Sequence, residues 1–268
     1  MRRRAILTLG CLLVVLGALT VVVSDDPGAQ APPTSTAAAS VEHEPVPILM
    51  FHIIGTRHAG VAHPTLWVSP RALRSYLRAL RGAGYDGVTL GQVWNAWHHG
   101  ATLPRRPIVL SFDDGYAGQV AYALPALKRL GWSGVLNLKL DNLARMGGTA
   151  AVRRLLRAGW EVDSHTVSHS DLTTLSAAAV KREIAGSRTR LRKLFGVPVD
   201  FFAYPGGRHD DDVIAAVKDA GYEAATTAQL GWARRDEDPF AMPRVRVDGG
   251  MSARAVLQRL RDARAPRR

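Results

Sequence analysis

The sequence predicts an α/β fold: a distorted (β/α) barrel of about seven strands in a single domain. Three observations predict it. Short apolar runs alternate with amphipathic stretches from Pro45 onward, which is the pattern of parallel strand–helix units. Several amphipathic stretches stop at a glycine, as helices do before a new strand begins. Histidines and paired carboxylates stand just after the apolar runs, where barrels of this kind carry their chemistry. A chain of 268 residues with 47% hydrophobic and 22% charged side chains can bury one substantial core, which excludes wholesale disorder.

In chain order, strands are expected at Ile48–His52, Gly87–Leu90, Ile108–Phe112, Gly134–Leu138, Trp160–Asp163, Phe201–Tyr204, Ala224–Thr227 and Val245–Val247. Ser69-Pro70 reads as an N-cap with proline at the first helical position. The helix it opens buries Leu73, Leu77 and Leu80 and stops at Gly82. Further helices are expected at Leu90–His98, Val120–Leu130, Ala150–Ala158, Ser176–Leu194 and Asp211–Ala220, four of them followed by Gly131, Gly159, Gly196 and Gly221. No repeat of fixed period is present.

The amino terminus bears on the compartment. Met1-Arg-Arg-Arg4 precedes the apolar stretch Ala5–Val23, a positive n-region and an h-region. At ~1.5 Å per residue that stretch is just long enough to span a bilayer, so residues 1–23 read as a cleaved signal peptide or as a retained signal anchor. Either way the arginines would stay inside, and the domain would be exported to the extracellular space or the outer face of the cytoplasmic membrane. Residues 24–44, rich in Ala, Pro, Ser and Thr, read as a flexible linker to a domain over 45–268. Cys11, the only cysteine, lies in the apolar stretch, so the exported part holds no disulfide.

The formal charge of +12 and pI near 10.6 raise the question of nucleic acid. Most of the basic residues are arginines scattered along helices, with no basic run interleaved with aromatics, and nucleic-acid binding is not expected.

The chemistry-bearing residues follow three apolar runs. Ile108–Phe112 ends in Asp113-Asp114-Gly115, Trp160–Asp163 leads to His165 and His169, and Phe201–Tyr204 leads to Pro205-Gly206-Gly207; His52 ends the first run. Histidines four apart share one face of a helical turn, and two imidazoles with one carboxylate make a zinc-like half-site with positions left open. A divalent cation also explains why two carboxylates stand side by side. One can bind it while the other stays free to take a proton, although the spacing does not say which does which. Gly115 allows a sharp turn with no Cβ in the way of a ligand.

Ser111-Phe-Asp-Asp-Gly115, His165-Thr-Val-Ser-His169, Asp171-Leu-Thr-Thr-Leu-Ser176, Phe202-Ala-Tyr-Pro-Gly-Gly207 and Lys218-Asp-Ala-Gly-Tyr222, in this order, resemble the NodB-type polysaccharide deacetylases, carbohydrate esterase family 4. The similarity runs from Pro47 to Val247. It implies a NodB-like distorted barrel and a hydrolase that removes N-acetyl groups from N-acetylglucosamine-type residues of a cell-surface or cell-wall polysaccharide. It implies Asp113 as general base and Asp114, His165 and His169 as ligands of a divalent metal, Zn2+ by preference. It further implies an oxyanion turn over Tyr204, Pro205 and Gly206, with the Gly206 N–H as donor. A monomer acting on an N-acetylated polysaccharide is expected, with membrane anchoring through residues 5–23 open.

Two departures from the family pattern bear on the chemistry. The arginine that orients the base in many members is absent from Ala203-Tyr-Pro-Gly-Gly207, where Gly206 also replaces a tyrosine. No histidine follows His209, so the late histidine that serves as general acid is missing. A branch resembling the poly-N-acetylglucosamine deacetylases takes its acid from a histidine after the first strand, which His52 matches. His52 is therefore either that acid or a strand-end residue that shapes the pocket. An O-acetyl carbohydrate esterase and a silent glycan-binding domain remain as alternatives. His98-His99 is expected to be a frayed helix end and His209 a solvated helix start. Trp132, Trp160 and Tyr204 are expected to pack rather than stack on sugar, and Trp232 stays open between the two.

Overall fold

The computed structural model describes residues 44–264; the expected signal segment 1–23 and nearly all of the 24–44 linker lie outside them. No described helix is long and apolar enough to cross a membrane. The strands are β1 (Ile48–Phe51), β2 (Ile53–Ile54), β3 (Trp67–Val68), β4 (Asp86–Val88), β5 (Pro107–Asp113), β6 (Val135–Leu138), β7 (Glu161–Ser164), β8 (Phe201–Ala203), β9 (Ala224–Leu230) and β10 (Met242–Arg246). The helices are α1 (Pro70–Gly82), α2 (Leu90–His99), α3 (Leu124–Lys128), α4 (Leu143–Met146), α5 (Gly148–Arg157), α6 (Ala177–Phe195), α7 (Asp211–Asp219) and α8 (Ala253–Ala263).

The main sheet runs β1-β10-β9-β8-β7-β6-β5-β4, all parallel, and β1 also pairs with β5. That second pairing closes a barrel of seven strands and leaves β4 as a flap on the outside of β5. The barrel and its strand number agree with expectation. β2 and β3 form a separate parallel pair above the first strand.

Strand alternation sorts the side chains. Ile108, Leu110, Phe112, Leu136, Phe202 and Val245 face outward into the large core beneath the helices. Ile48, Val109, Val135, Phe201, Ala224 and Met242, all near strand starts, face inward and pack with Leu90, Val93 and Trp97 of α2. α2 therefore plugs the amino-terminal end of the barrel, fixed there by a capping box between Thr89 and Gln92. Further along three of these strands the inward positions turn polar: Ser111 and then Asp113 on β5, Asn137 on β6, Arg244 on β10. The interior thus passes from a dry plug to a polar mouth.

Several expectations shift. The single helix expected over Val120–Leu130 is a π turn, Gln119–Ala123, followed by α3, because Pro125 lacks the N–H that a regular helix would use. α8 was not anticipated. β10 begins at Met242 rather than Val245, since Pro243 and Arg244 interrupt the apolar pattern there. Trp132, Trp160 and Trp232 are buried, and Trp232 Nε1 donates to the Leu260 carbonyl under α8 at 2.9 Å, so it meets no sugar. His98 stacks on Trp94 at 4.0 Å on the plug helix, remote from the polar mouth.

Candidate active site

The site is built on the carboxyl-terminal ends of β1, β5, β6, β7, β8 and β10. Asp113, the last residue of β5, points inward and is 2% exposed. Its Oδ1 accepts from Asn137 Nδ2 at 2.7 Å and from Arg244 Nη1 at 2.9 Å, and its Oδ2 accepts from Arg244 Nη2 at 2.9 Å. Arg244 is 1% exposed and fully committed, since Nε donates to the Thr227 carbonyl at 2.8 Å and Nη1 also reaches Ser111 Oγ at 3.2 Å. Burial alone would raise the Asp113 pKa. The Arg244 guanidinium, by its charge and its hydrogen bonds, overcomes this and holds the carboxyl far below the usual range.

The arginine absent from the third motif is therefore supplied by another strand. Sequence reasoning missed Arg244 because it lies in the part of β10 that reads as a loop.

The chain reverses sharply after Asp113. Asp114 adopts φ of 72° and Gly115 φ of 84°, and the Gly115 N–H donates to the Asp113 carbonyl at 3.0 Å. A Cβ on Gly115 would come within 2.5 Å of Leu138 Cδ1, so the glycine makes room for the core rather than for a ligand, which corrects the sequence reading. Two carboxylates on adjacent residues thereby serve different partners. Asp113 is held by Arg244, while Asp114 Oδ1 lies 3.7 Å from His165 Nε2 and 3.6 Å from His169 Nε2.

His165 and His169 do not share a helical turn, contrary to their spacing. They sit on an irregular loop after β7, with φ of 67° at both Thr166 and His169. Glu183 of α6 holds that loop, accepting from Val167 N at 3.0 Å, Ser168 N at 2.9 Å and Ser168 Oγ at 2.8 Å. Left-handed backbone at non-glycine residues is costly, and of the four such residues described, Asp114, Thr166 and His169 are at this site, with His63 the exception. His165 Nδ1 is 2.7 Å from the Ala203 carbonyl, which takes the ring proton on that nitrogen and leaves the Nε2 lone pair facing Asp114. Burial, then the neighbouring His165, lowers the His169 pKa and favours its neutral form.

Asp114, His165 and His169 bring three ligand atoms within 4.8 Å of one another. One carboxylate and two neutral imidazoles, with one ring fixed by a backbone carbonyl, fit a divalent metal of the zinc type. Tyr116 adds to the cluster: burial raises its phenol pKa, and the Asp114 charge and a hydrogen bond to that carboxylate raise it further.

The remaining predicted positions divide. His52 is half-buried, with Nε2 3.9 Å from Asp113 Oδ2, and burial lowers its pKa against the opposing pull of Asp113 and Asp114. Gln119 ties the two strand ends together, its Nε2 donating to the carbonyls of His52 at 3.0 Å and Asp113 at 2.7 Å. Tyr204 faces outward and is fully buried, its hydroxyl donating to the Phe240 carbonyl at 3.0 Å and its ring stacked on His209. It belongs to the core and not to a sugar-binding surface, and His209 is packed rather than solvated.

In the turn after Tyr204, the amides of Tyr204, Gly207 and Arg208 are already bonded to carbonyls. Pro205 has none, so the exposed Gly206 N–H is the free donor of this turn.

Residues 100–225 match the family model described as Polysaccharide deacetylase. YxkH of Bacillus subtilis, named as a polysaccharide deacetylase, is 26% identical over 78% of this chain and 74% of its own length. The poly-beta-1,6-N-acetyl-D-glucosamine N-deacetylase of Escherichia coli K12 is 37% identical over a shorter stretch, 25% of this chain and 10% of that protein. Among solved structures, the Bacillus cereus polysaccharide deacetylase BC0361 superposes with a TM-score of 0.72 at 27% identity, covering 81% of this chain and 69% of that one. The Streptococcus pyogenes deacetylase PplD, solved with acetate, gives a TM-score of 0.74 at 23% identity over 84% of this chain and all of that one, a likeness of fold. The family model matched over residues 100–225, the likeness to YxkH and BC0361 and the closed seven-stranded barrel point the same way: the chain is similar to the NodB-type polysaccharide deacetylases, a family of hydrolases.

Proposed function

We propose that the protein is an exported, metal-dependent carbohydrate N-deacetylase that releases acetate from N-acetylglucosamine-type residues of a cell-surface or cell-wall polysaccharide. One observation carries the reading: an ionised, arginine-held Asp113 stands beside Asp114, His165 and His169, whose ligand atoms converge within 4.8 Å. The relative named for poly-N-acetylglucosamine supports the choice of sugar. Residues 1–23, as signal peptide or anchor, support export.

Asp114, His165 and His169 would hold the metal, with Zn2+ the best match to this donor set. When bound, such an ion supplies Lewis-acid polarisation and lowers the pKa of water. The protein's own groups supply the rest. Asp113 takes a proton from the attacking water as the new C–O bond forms. The Gly206 N–H donates to the oxyanion of the tetrahedral intermediate, a contribution worth about 3 kcal/mol where such donors are preorganised.

Asp113 is a poor resting place for a proton, because Arg244 favours its ionised form. His52, which enters mostly neutral, is the more basic neighbour. Its Nε2 lies 3.9 Å from Asp113 Oδ2, a gap that catalytic pairs commonly close when substrate binds. Passed to His52, the proton is delivered to the amine as the C–N bond breaks.

Metal-loaded protein incubated with N-acetylated oligosaccharides should release acetate, and chelator or Asp113→Asn should stop it. No acetate from any such substrate, with no effect of chelator or variant, would overturn the proposal. O-acetylated sugars belong in the same panel, because an ester leaving group needs less help from His52.

A further inference from the structure

The mouth of the barrel carries cations that the hydrolysis itself does not use. Lys139 follows β6 in extended conformation, with φ of −75° and ψ of 118°. The alternation that turns Asn137 inward onto Asp113 therefore turns Lys139 toward the barrel axis as well, one step further out. Its neighbours lock this placement: Leu140 N donates to the Thr166 carbonyl at 3.1 Å and Asp141 N to the Val167 carbonyl at 3.0 Å, so Lys139 is tied beside the loop that bears His165 and His169.

Arg145 is exposed on α4, close enough to Tyr116, whose phenol hydrogen-bonds the Asp114 carboxylate, for its charge to act on that phenol. Arg208 follows the turn on the other side, with Nη1 3.6 Å from where a Cβ on Gly206 would stand. Three separate segments thus place a cation at the rim. Arg208 is matched by Asp171 at 3.4 Å, whereas Lys139 and Arg145 have no carboxylate partner among the described residues.

A neutral acetamido sugar asks for none of these charges. Its carbonyl would face the position held by Asp114, His165 and His169 and the Gly206 N–H, and its nitrogen would face His52. Unpaired cations gathered at a binding mouth repel one another, and a bound anion is what relieves that repulsion and gains specificity from it.

We propose that the site selects a glycan bearing an anionic group, carboxylate or phosphate, on or beside the acetamido sugar, with Lys139 and Arg145 as the specificity-determining residues. This rests on the deacetylase reading above.

The test measures acetate release from three oligosaccharides of one backbone: neutral, carboxylate-bearing on the neighbouring sugar, and phosphate-bearing there. The expected result is a kcat/KM at least about fivefold higher for one anionic glycan than for the neutral one, carried mainly by KM, and the arm that wins identifies the anion. That advantage should shrink as salt rises from about 20 mM to about 300 mM, where the Debye length falls below about 10 Å. The double variant Lys139→Gln/Arg145→Gln should bring the anionic-to-neutral ratio toward one, and Lys139→Arg should retain it. If the double variant does not fold, the salt series on the unaltered protein decides.

Equal kcat/KM for neutral and anionic glycans with no salt dependence, or a preference that survives in the double variant, would overturn the inference and leave the deacetylase reading standing. Acetate from none of the three would sink both.

Discussion

Replacing Arg244 by Met removes the guanidinium while keeping much of its volume. The change strips Asp113 of two hydrogen bonds at 2.9 Å each, leaves Ser111 Oγ and the Thr227 carbonyl without a donor, and strands a carboxylate that is 2% exposed. Breaking a buried pair from one side costs about 3–5 kcal/mol. For a domain of this size that is a fall in Tm of about 6–20 °C.

The pH dependence should also change sign. In the native protein the Asp113 pKa is depressed below its unfolded value of 3.8, so its stabilisation is present above that pH and is lost only in strong acid. Without Arg244, burial dominates and raises the pKa. The folded state then binds the extra proton, and the variant loses stability as pH rises from about 4 toward 7. The rate should fall about a hundredfold or more, since the base is neither ionised nor oriented. Arg244→Lys, which can reach only one oxygen, should fall between. Circular-dichroism melts at several pH values and acetate release from metal-loaded protein measure both effects. A variant that melts within about 1 °C of the native protein at neutral pH and keeps its turnover would refute the assignment of Arg244 as the group that holds the base.

Other outcomes follow from the same geometry. His165→Ala removes one of three ligand atoms and should abolish both chelator-sensitive activity and bound metal, the latter read by elemental analysis. His52 has its pKa lowered below 6.5, so it is neutral at pH 7 and protonates only as pH falls through that lowered value. If it relays a proton while neutral, its ionisation gives an acidic limb in kcat/KM that His52→Gln removes, with a loss of about a hundredfold on amide and less on ester. An alkaline limb assigned to His52 would contradict the relay. Glu161 and Asp163 face one another inside the barrel, and burial raises both pKa values, so the folded state binds a proton that the unfolded state releases and stability declines as pH rises above about 4. Glu161→Gln should raise Tm at pH 7.5 and flatten that decline, because an amide can keep accepting from Gly91 N while donating to Asp163. Gly115→Ala, facing both φ of 84° and Leu138 Cδ1 at 2.5 Å, should cost about 2–4 kcal/mol in a denaturant titration.

What the sequence made legible is what short-range pattern encodes. Eight apolar runs became the eight strands of the main sheet, because runs bounded by glycine, proline and capping residues have few alternatives in a chain of this length. Period-two alternation also carries more than strand identity. It puts Asp113 and Asn137 inside the barrel and Tyr204 outside it, which is why Tyr204 packs in the core although its motif suggests a role at the substrate.

The backbone turns at the site were not legible. The spacing of His165 and His169 suggests a helix, whereas left-handed residues and the reach of Glu183 from α6 decide otherwise, and neither is visible in five residues.

Arg244 was hidden for a different reason. It lies 131 residues from Asp113, behind Pro243, and meets it only because β10 closes the ring next to β1, which in turn pairs with β5. A buried base needs a positive partner aimed at both its oxygens, but the need is electrostatic and makes no demand on which strand supplies it. The loss of arginine from the third motif was, with the missing late histidine, one of two arguments for a silent glycan-binding domain. With Arg244 in place at 2.9 Å from each oxygen, that argument loses its premise. A motif records one solution to a physical requirement, and its absence counts against activity only after the rest of the barrel interior has been searched for another.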